Sequence, residues 1–168
     1  MVESFSRRKF LRTAAGGAAM AMSAASYSRV MGANERISIG VIGCGGRGVG
    51  AHMGGIKPHA AGENVEVTAV CDPWTVRQEV ASATAKEHYG RAARKFSSYR
   101  DLLALKDIDA VMIASCDHQH TTHLKAAAVA GKDAYCEKPM GTKFAEAKAA
   151  YLATKRSEIG RASCRERV

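Results

Sequence analysis

Short apolar runs recur along the chain after residue 35, and between them the apolar positions fall at helical spacing. Ile37, Ile39, Val41 and Ile42 form the first run, which breaks into glycines. Val65, Val67, Ala69 and Val70 form the second, ending at Cys71-Asp72. Lys95-Phe96 is a short third. Asp109–Ser115 is the fourth, apolar almost throughout, as expected of a parallel strand covered on both faces. Asp133–Glu137 is the fifth. The segments between them predict helices. One runs from about Gly48 to Ile56, although its glycines weaken the propensity. Trp74–Tyr89 carries Val76, Val80, Ala83 and His88 near helical spacing, with Pro73 suited to the first turn. A short helix capped by Ser98 holds Leu102, Leu103 and Leu105. Thr121 to Ala130 ends at Gly131, a good C-cap, and Thr142 caps a last helix from Phe144 to about Arg156. Pro58–Asn64 reads as loop. Strands alternating with helices predict an α/β fold with a doubly wound parallel sheet.

In such sheets ligands bind outside the carboxyl ends of the strands, and the unusual polar residues of this chain gather there. After the first strand, Gly43, Gly45 and Gly48 give the spacing G-x-G-x-x-G, with Gly46 and Arg47 inside it. The first glycine permits the tight turn, the second a close backbone approach to a pyrophosphate, and the third close packing of helix on sheet. The anion would rest on the free N–H groups of the helix that follows. Glycine-rich turns are common, so the weight of this one comes from the strands and helices downstream. Asp72 closes the second strand, where a carboxylate can hold the adenosine ribose hydroxyls. Its charge would repel a 2′-phosphate, which favours NAD over NADP as the cofactor. It lies further past Gly43 than the usual ~20 residues, because the intervening loop is long. It equally suits a helix N-cap before Pro73, and the two roles are compatible. Ser115 to His120 follow the fourth strand. Glu137-Lys138-Pro139 follow the fifth, a charged pair at the end of an apolar run that would otherwise read as a solvated strand end.

Composition narrows the function classes. The chain has 168 residues, room for about one domain, and a net charge of +9. Residues 1–34 hold five Lys/Arg and one Glu, and 158–168 hold three Arg and two Glu. The remaining 35–157 carry 17 basic and 13 acidic residues, with no basic stripe and no interleaved aromatics, so no nucleic-acid partner is expected. The five cysteines have no C-x-x-C spacing and read as free thiols, with Cys44, Cys71, Cys116 and Cys136 as small apolar fillers at strand ends. His118, His120 and His123 have spacings that can chelate zinc, but no acidic or cysteine partner stands in register, so no metal is expected and pocket lining is the better reading.

The N-terminus reads as an address. Ser6-Arg7-Arg8-Lys9-Phe10-Leu11-Arg12 resembles the twin-arginine export motif, followed by a bland Ala/Gly-rich segment, Thr13 to Ser26. That segment is too short and too weakly apolar for a membrane span. Residues 1–34 are therefore expected to be a twin-arginine signal peptide and linker, placing the protein in the periplasm or at a membrane, with no integral membrane segment. At the other end, Glu158–Val168 resembles one reading frame of a common sequencing-library adapter, which predicts that native sequence ends near Ser157.

Taken together, residues 35–157 resemble the N-terminal Rossmann domain of the Gfo/Idh/MocA family. The resemblance rests on Gly43–Gly48, Cys71-Asp72-Pro73, Ile108-Asp109-Ala110-Val111, Asp117-His118-x-His120, Ala130-Gly131-Lys132-Asp133 and Glu137-Lys138-Pro139, in that order. It implies an NAD(P)-dependent oxidoreductase acting on a sugar, inositol or related polyol, in which a substrate C–OH gives hydride to nicotinamide and its proton to a base. It implies that Lys138 lies near the reacting hydroxyl, that Glu137 touches the nicotinamide ribose, and that His120 lines the pocket in a supporting role. A cis peptide before Pro139 would turn Lys138 into the site. The cofactor-binding set implied is Gly43, Gly45, Gly46, Arg47, Gly48, Asp72, Ser115, His118, Glu137, Lys138 and Pro139. The family's C-terminal α+β domain, with the substrate pocket and usual oligomer interface, is expected to be missing, so a homo-oligomer is expected only of the full-length protein. Two other readings share these residues: a secreted NAD-dependent glycoside hydrolase of the same family, and a dinucleotide-binding module without turnover.

Overall fold

The computed structural model describes residues 36–157 and 161–163. The twin-arginine motif and the end of the chain past Ser163 lie outside the described residues. The first strand, β1 (Ile37–Ile42), sends alternate side chains to opposite faces. Ile39 and Val41 enter one core and Ile42 the other. Beside it lies β2 (Val65–Cys71), whose register slips by one residue where Ile39 faces Val67 and Gly40 faces Ala69. Thr68 is the residue left out of the register. That bulge puts Val67 and Val70 on the same face despite their odd spacing.

Four further strands complete the sheet: β3 (Arg94–Phe96), β4 (Ala110–Ile113), β5 (Asp133–Cys136) and β6 (Arg161–Ser163). The order is β3-β2-β1-β4-β5-β6, and every neighbouring pair is parallel. Parallel neighbours need crossovers, and helices supply them on both faces. On one face lie α1 (Arg47–Met53, running on through Gly54–Ile56) and α2 (Thr75–Tyr89), packing Met53, Ile56, Ala81 and Ala85 against Val41, Val67 and Val70. On the other lie α3 (Tyr99–Leu103), α4 (His120–Val129) and α5 (Phe144–Arg156), packing Leu102, Leu103, Leu124, Ala127 and Ala150 against Val111, Ile113, Ala134 and Cys136. This is the doubly wound sheet that the alternation of runs predicts.

Several local expectations change. Ser98 caps α3 as expected, its hydroxyl accepting from Arg100 N at 3.3 Å, and Gly131 follows α4 with φ +66°. The cap of α5 is Lys143 rather than Thr142, and no side chain bonds the helix end there. Val76 and Val80 are exposed. The buried side of α2 is Gln78, Ala81, Ser82 and Ala85. Small side chains let this helix sit close to the sheet, and Gln78 and Ser82 satisfy their polar atoms on Asp72 O and Ala93 O at 2.7 Å each. The sequence pattern predicts no strand after α5, yet β6 pairs with β5. Backbone groups on a free sheet edge accept any extended segment, whatever its apolar pattern.

Candidate functional site

Four strand ends meet at the carboxyl edge of the sheet. The turn after β1 is set by glycine. Gly43 has φ +96°, and a Cβ there would stand 2.5 Å from Ser115 N and 2.6 Å from Ala114 C. Gly48 is closed as well, since a Cβ would lie 2.0 Å from Gly43 O. Gly45 and Gly46 differ: a Cβ at either meets nothing within 4 Å. Two glycines of the turn are therefore required by the protein's own packing, and two keep the space above the turn open. Val49 N already bonds Gly45 O at 2.9 Å, while the N–H groups at the very start of α1 precede the first intrahelical bond, so the turn offers donors to an anion.

Asp72 holds this turn in place. Its Oδ2 accepts from Cys44 N and its Oδ1 from Trp74 N, both at 2.9 Å. The carboxylate thus ties the glycine turn to the approach to α2; the N-cap of that helix is Trp74, with no side chain bonding the helix end, so Asp72 is not the cap. A carboxylate has about four acceptor sites, so a fixed Asp72 retains capacity for ribose hydroxyls.

The turn after β5 is held from two sides. Glu137 is 5% exposed. Its Oε1 lies 3.0 Å from Arg47 Nε and 3.1 Å from His52 Nε2, while its Oε2 accepts from Lys138 N at 3.1 Å. The Lys138-Pro139 peptide is cis. His120, 1% exposed, places Nδ1 2.7 Å from Pro139 O and Nε2 3.0 Å from Ser115 O. Both facing atoms are carbonyl oxygens, which only accept. A neutral ring could donate to one of them, and only the doubly protonated ring to both. His120 therefore clamps the end of β4 to the Glu137–Pro139 turn.

Next to this clamp, Ser115 Oγ lies 2.9 Å from His123 Nδ1. Burial, reinforced by the neighbouring His120, pushes His123 down to about 4, so its ring is neutral at pH 7 and able to accept from the serine hydroxyl. His52 is also pushed down, first by burial and then by Arg47, against the opposing pull of Glu137. Burial raises Cys44, Cys71 and Cys136 to about 12, with nearby carboxylates adding to the shift. These thiols are inert fillers at neutral pH.

Between the turns lies a polar cavity of about 210 Å³ lined by Arg47, Ala114, Ser115, Asp117, His120, Glu137 and Lys138. It brings together the expected Arg47, Ser115, His120, Glu137 and Lys138. His118 is exposed on the short turn Asp117–Gln119 and does not line it. Sequence reasoning missed His52. The only signal for it was its distance of five residues from Arg47, which the expected α-helical winding makes uninformative. Among the described residues no three His, Cys, Asp or Glu side chains gather as a metal set, and no helix is long and apolar enough to cross a membrane. The open space over Gly45 and Gly46, the donors of α1 and the carboxylate at the end of β2 fit a dinucleotide with its pyrophosphate on the turn.

Comparison with known proteins agrees. The family model described as "Oxidoreductase family, NAD-binding Rossmann fold" (Gfo/Idh/MocA) matches residues 37–159. An inositol 2-dehydrogenase/D-chiro-inositol 3-dehydrogenase of Shouchella clausii is 37% identical over 106 residues, covering 63% of this chain and 29% of that protein. A glycosyl hydrolase family 109 protein of Shewanella sp. (strain ANA-3) is 32% identical over 162 residues, covering 83% of this chain and 34% of that protein. Among solved structures, the WlbA dehydrogenase of Bordetella pertussis, in complex with NADH and UDP-GlcNAcA, is similar with a TM-score of 0.67 and 29% identity. That match covers 76% of this chain and 36% of that one. The chain thus spans about a third of the relatives it matches. It belongs to the Gfo/Idh/MocA oxidoreductase family, and its described residues form the NAD-binding Rossmann domain.

Proposed function

We propose that this chain is the nucleotide-binding part of an oxidoreductase that acts on a hydroxyl of a sugar, inositol or related polyol. The observation that carries the proposal is the fixed position of Lys138. Its amide donates to the Glu137 carboxylate, the carbonyl of the next residue, Pro139, is held by His120, and it opens onto the polar cavity at the sheet's carboxyl edge. When bound, the nicotinamide would serve as hydride acceptor for the substrate carbon. The chain's own residues supply the rest. Gly45, Gly46 and the start of α1 would take the pyrophosphate, and Asp72 the adenosine ribose hydroxyls. Glu137 would face the nicotinamide ribose. Lys138 would place its cation at the substrate oxygen, polarising it or relaying its proton. The carboxylate of Asp72 supports NAD as the preferred cofactor. The test uses the full-length gene with NAD⁺ and a panel of inositols and sugars. Production of NADH with one of them is expected. Lys138→Met should lower kcat at least about a hundredfold while NAD⁺ affinity stays within about twofold. Unchanged kcat would refute the role.

The family 109 relatives, at 32–36% identity, favour a second reading, a glycoside hydrolase that oxidises and re-reduces its sugar. Glycoside cleavage without net NADH would support it. The third reading, a dinucleotide-binding module, applies if the chain as written binds NAD⁺ and turns nothing over. The twin-arginine-like N-terminus supports export of the folded protein to the periplasm. A fusion of residues 1–34 to a reporter that needs this route tests it, and retention in the cytoplasm would refute it.

A further inference from the structure

Arg47 and His52 both lie on α1 and both reach Oε1 of Glu137, at 3.0 and 3.1 Å. In an α-helix, residues i and i+5 project about 140° apart and cannot share so small a target. Over Arg47–Met53, however, the helix winds as a π-helix. Its i→i+5 bonds set residues five apart about one turn from each other. The unusual winding is what brings the two side chains together, and such turns recur at functional sites. His52 is 8% exposed and packs edge-on against Tyr135 of β5, with ring centroids 5.1 Å apart at 69°. Its Nε2 is close to Glu137 Oε1 but off the line of a good hydrogen bond. Arg47 is different in kind. Its side chain is 53% exposed and stands at the mouth of the cavity, beside the anion-binding turn. A guanidinium there has donors to spare for a phosphate, whereas His52 has no other described polar partner.

We propose that His52 is a positioning residue for the nicotinamide half of the dinucleotide site. It holds Glu137 Oε1 from within the core. Glu137 Oε2 thereby stays on Lys138 N, and the Glu137-Lys138 turn keeps its geometry while Arg47 engages the nucleotide. This rests on the dinucleotide reading above and adds to it a residue that contacts neither cofactor nor substrate.

The test is calorimetric titration of the full chain and two variants with NAD⁺ and with ADP, which lacks both the nicotinamide and the ribose that carries it. His52→Leu keeps the bulk and removes the nitrogen, and His52→Gln restores an N–H at a similar reach. The expected result is NAD⁺ affinity about tenfold weaker in His52→Leu, the loss typical of a contact to a charged group. ADP affinity should stay within about twofold, and His52→Gln should recover most of the NAD⁺ affinity. Unchanged NAD⁺ affinity in His52→Leu would overturn the proposal. So would equal losses for both ligands in both variants, which would mark His52 as a general packing residue. If the unsubstituted chain binds neither ligand, the dinucleotide reading itself fails, a result distinct from either of these.

Discussion

The glycines of the turn after β1 divide into those the fold needs and those the ligand needs, and a pair of alanine substitutions separates them. Gly43→Ala puts a Cβ 2.5 Å from Ser115 N and 2.6 Å from Ala114 C and O, on backbone that cannot move aside, and does so at φ +96°. The conformation costs about 1–3 kcal/mol for a residue with a Cβ, and overpacking adds about 1–3 kcal/mol. The sum is on the order of 4 kcal/mol, a large part of the about 5–15 kcal/mol that holds a domain folded. Melting should fall by roughly 10–20 °C. Gly45→Ala meets nothing within 4 Å and its φ is not positive, so melting should move by less than about 2 °C. Its methyl group occupies the open space above the turn, and NAD⁺ affinity should fall at least about tenfold. Thermal unfolding by circular dichroism and NAD⁺ titration of the same samples read the two effects apart. The single tryptophan, Trp74, sits next to Asp72 with its amide on Oδ1, so its fluorescence offers a second report of binding. If Gly45→Ala binds NAD⁺ as tightly as the unsubstituted chain, the open space is not where the pyrophosphate lies and the reasoning is wrong.

Other outcomes follow from the same geometry. His123 has its folded pKa pushed down to about 4 from 6.5. Between those values the unfolded chain binds the proton and the folded chain does not. The stability from the neutral ring is therefore complete above pH 6.5 and is lost as pH falls to 4, by up to about 3 kcal/mol. His52 shifts the same way. Urea midpoints at pH 7 and pH 4.5 should show the loss, and His123→Gln should flatten the profile; an equally steep profile would contradict it. Iodoacetamide at pH 8 should label Cys116, which is exposed, and spare Cys44, Cys71 and Cys136 until the chain is unfolded. Peptide mapping by mass spectrometry reads this, and labelling of Cys44 in the native state would refute the burial argument. His120→Leu leaves Pro139 O and Ser115 O without their ring partner. With a neutral ring donating to one of these two carbonyls, at about 1–3 kcal/mol for a buried group left unpaired, it should destabilise the chain by about 1–3 kcal/mol in chemical denaturation, and a loss below about 0.5 kcal/mol would mean water takes the place of the ring.

The sheet was legible because parallel strands buried on both faces must be apolar almost throughout, and β1, β2 and β4 are. The strand-end residues were legible for the complementary reason that Asp72, Glu137 and Lys138 interrupt such runs. What the sequence concealed was governed by contacts across the fold. The exposed valines of α2 look like a core stripe, yet the close approach of helix and sheet selects the alanines together with Gln78 and Ser82. The spacing told Gly43, Gly45 and Gly48 apart by role, but that Ala114 and Ser115 are the backbone closing on Gly43 emerges only when β4 is laid beside β1. His52 was hidden because its role depends on the winding of α1. His120 reads as a pocket residue, and its burial among carbonyls emerges only when β4 and the cis turn are brought together.

The central claim is that these strand ends form an NAD site. Calorimetric titration of the full chain with NAD⁺ and then NADP⁺, repeated on Asp72→Ala, tests it most directly. One saturable site is expected, with NAD⁺ preferred by about tenfold through repulsion of the 2′-phosphate by Asp72. In Asp72→Ala, NAD⁺ should bind more weakly and the preference should disappear. A folded chain that binds neither nucleotide, or that binds both equally before any substitution, would contradict the account.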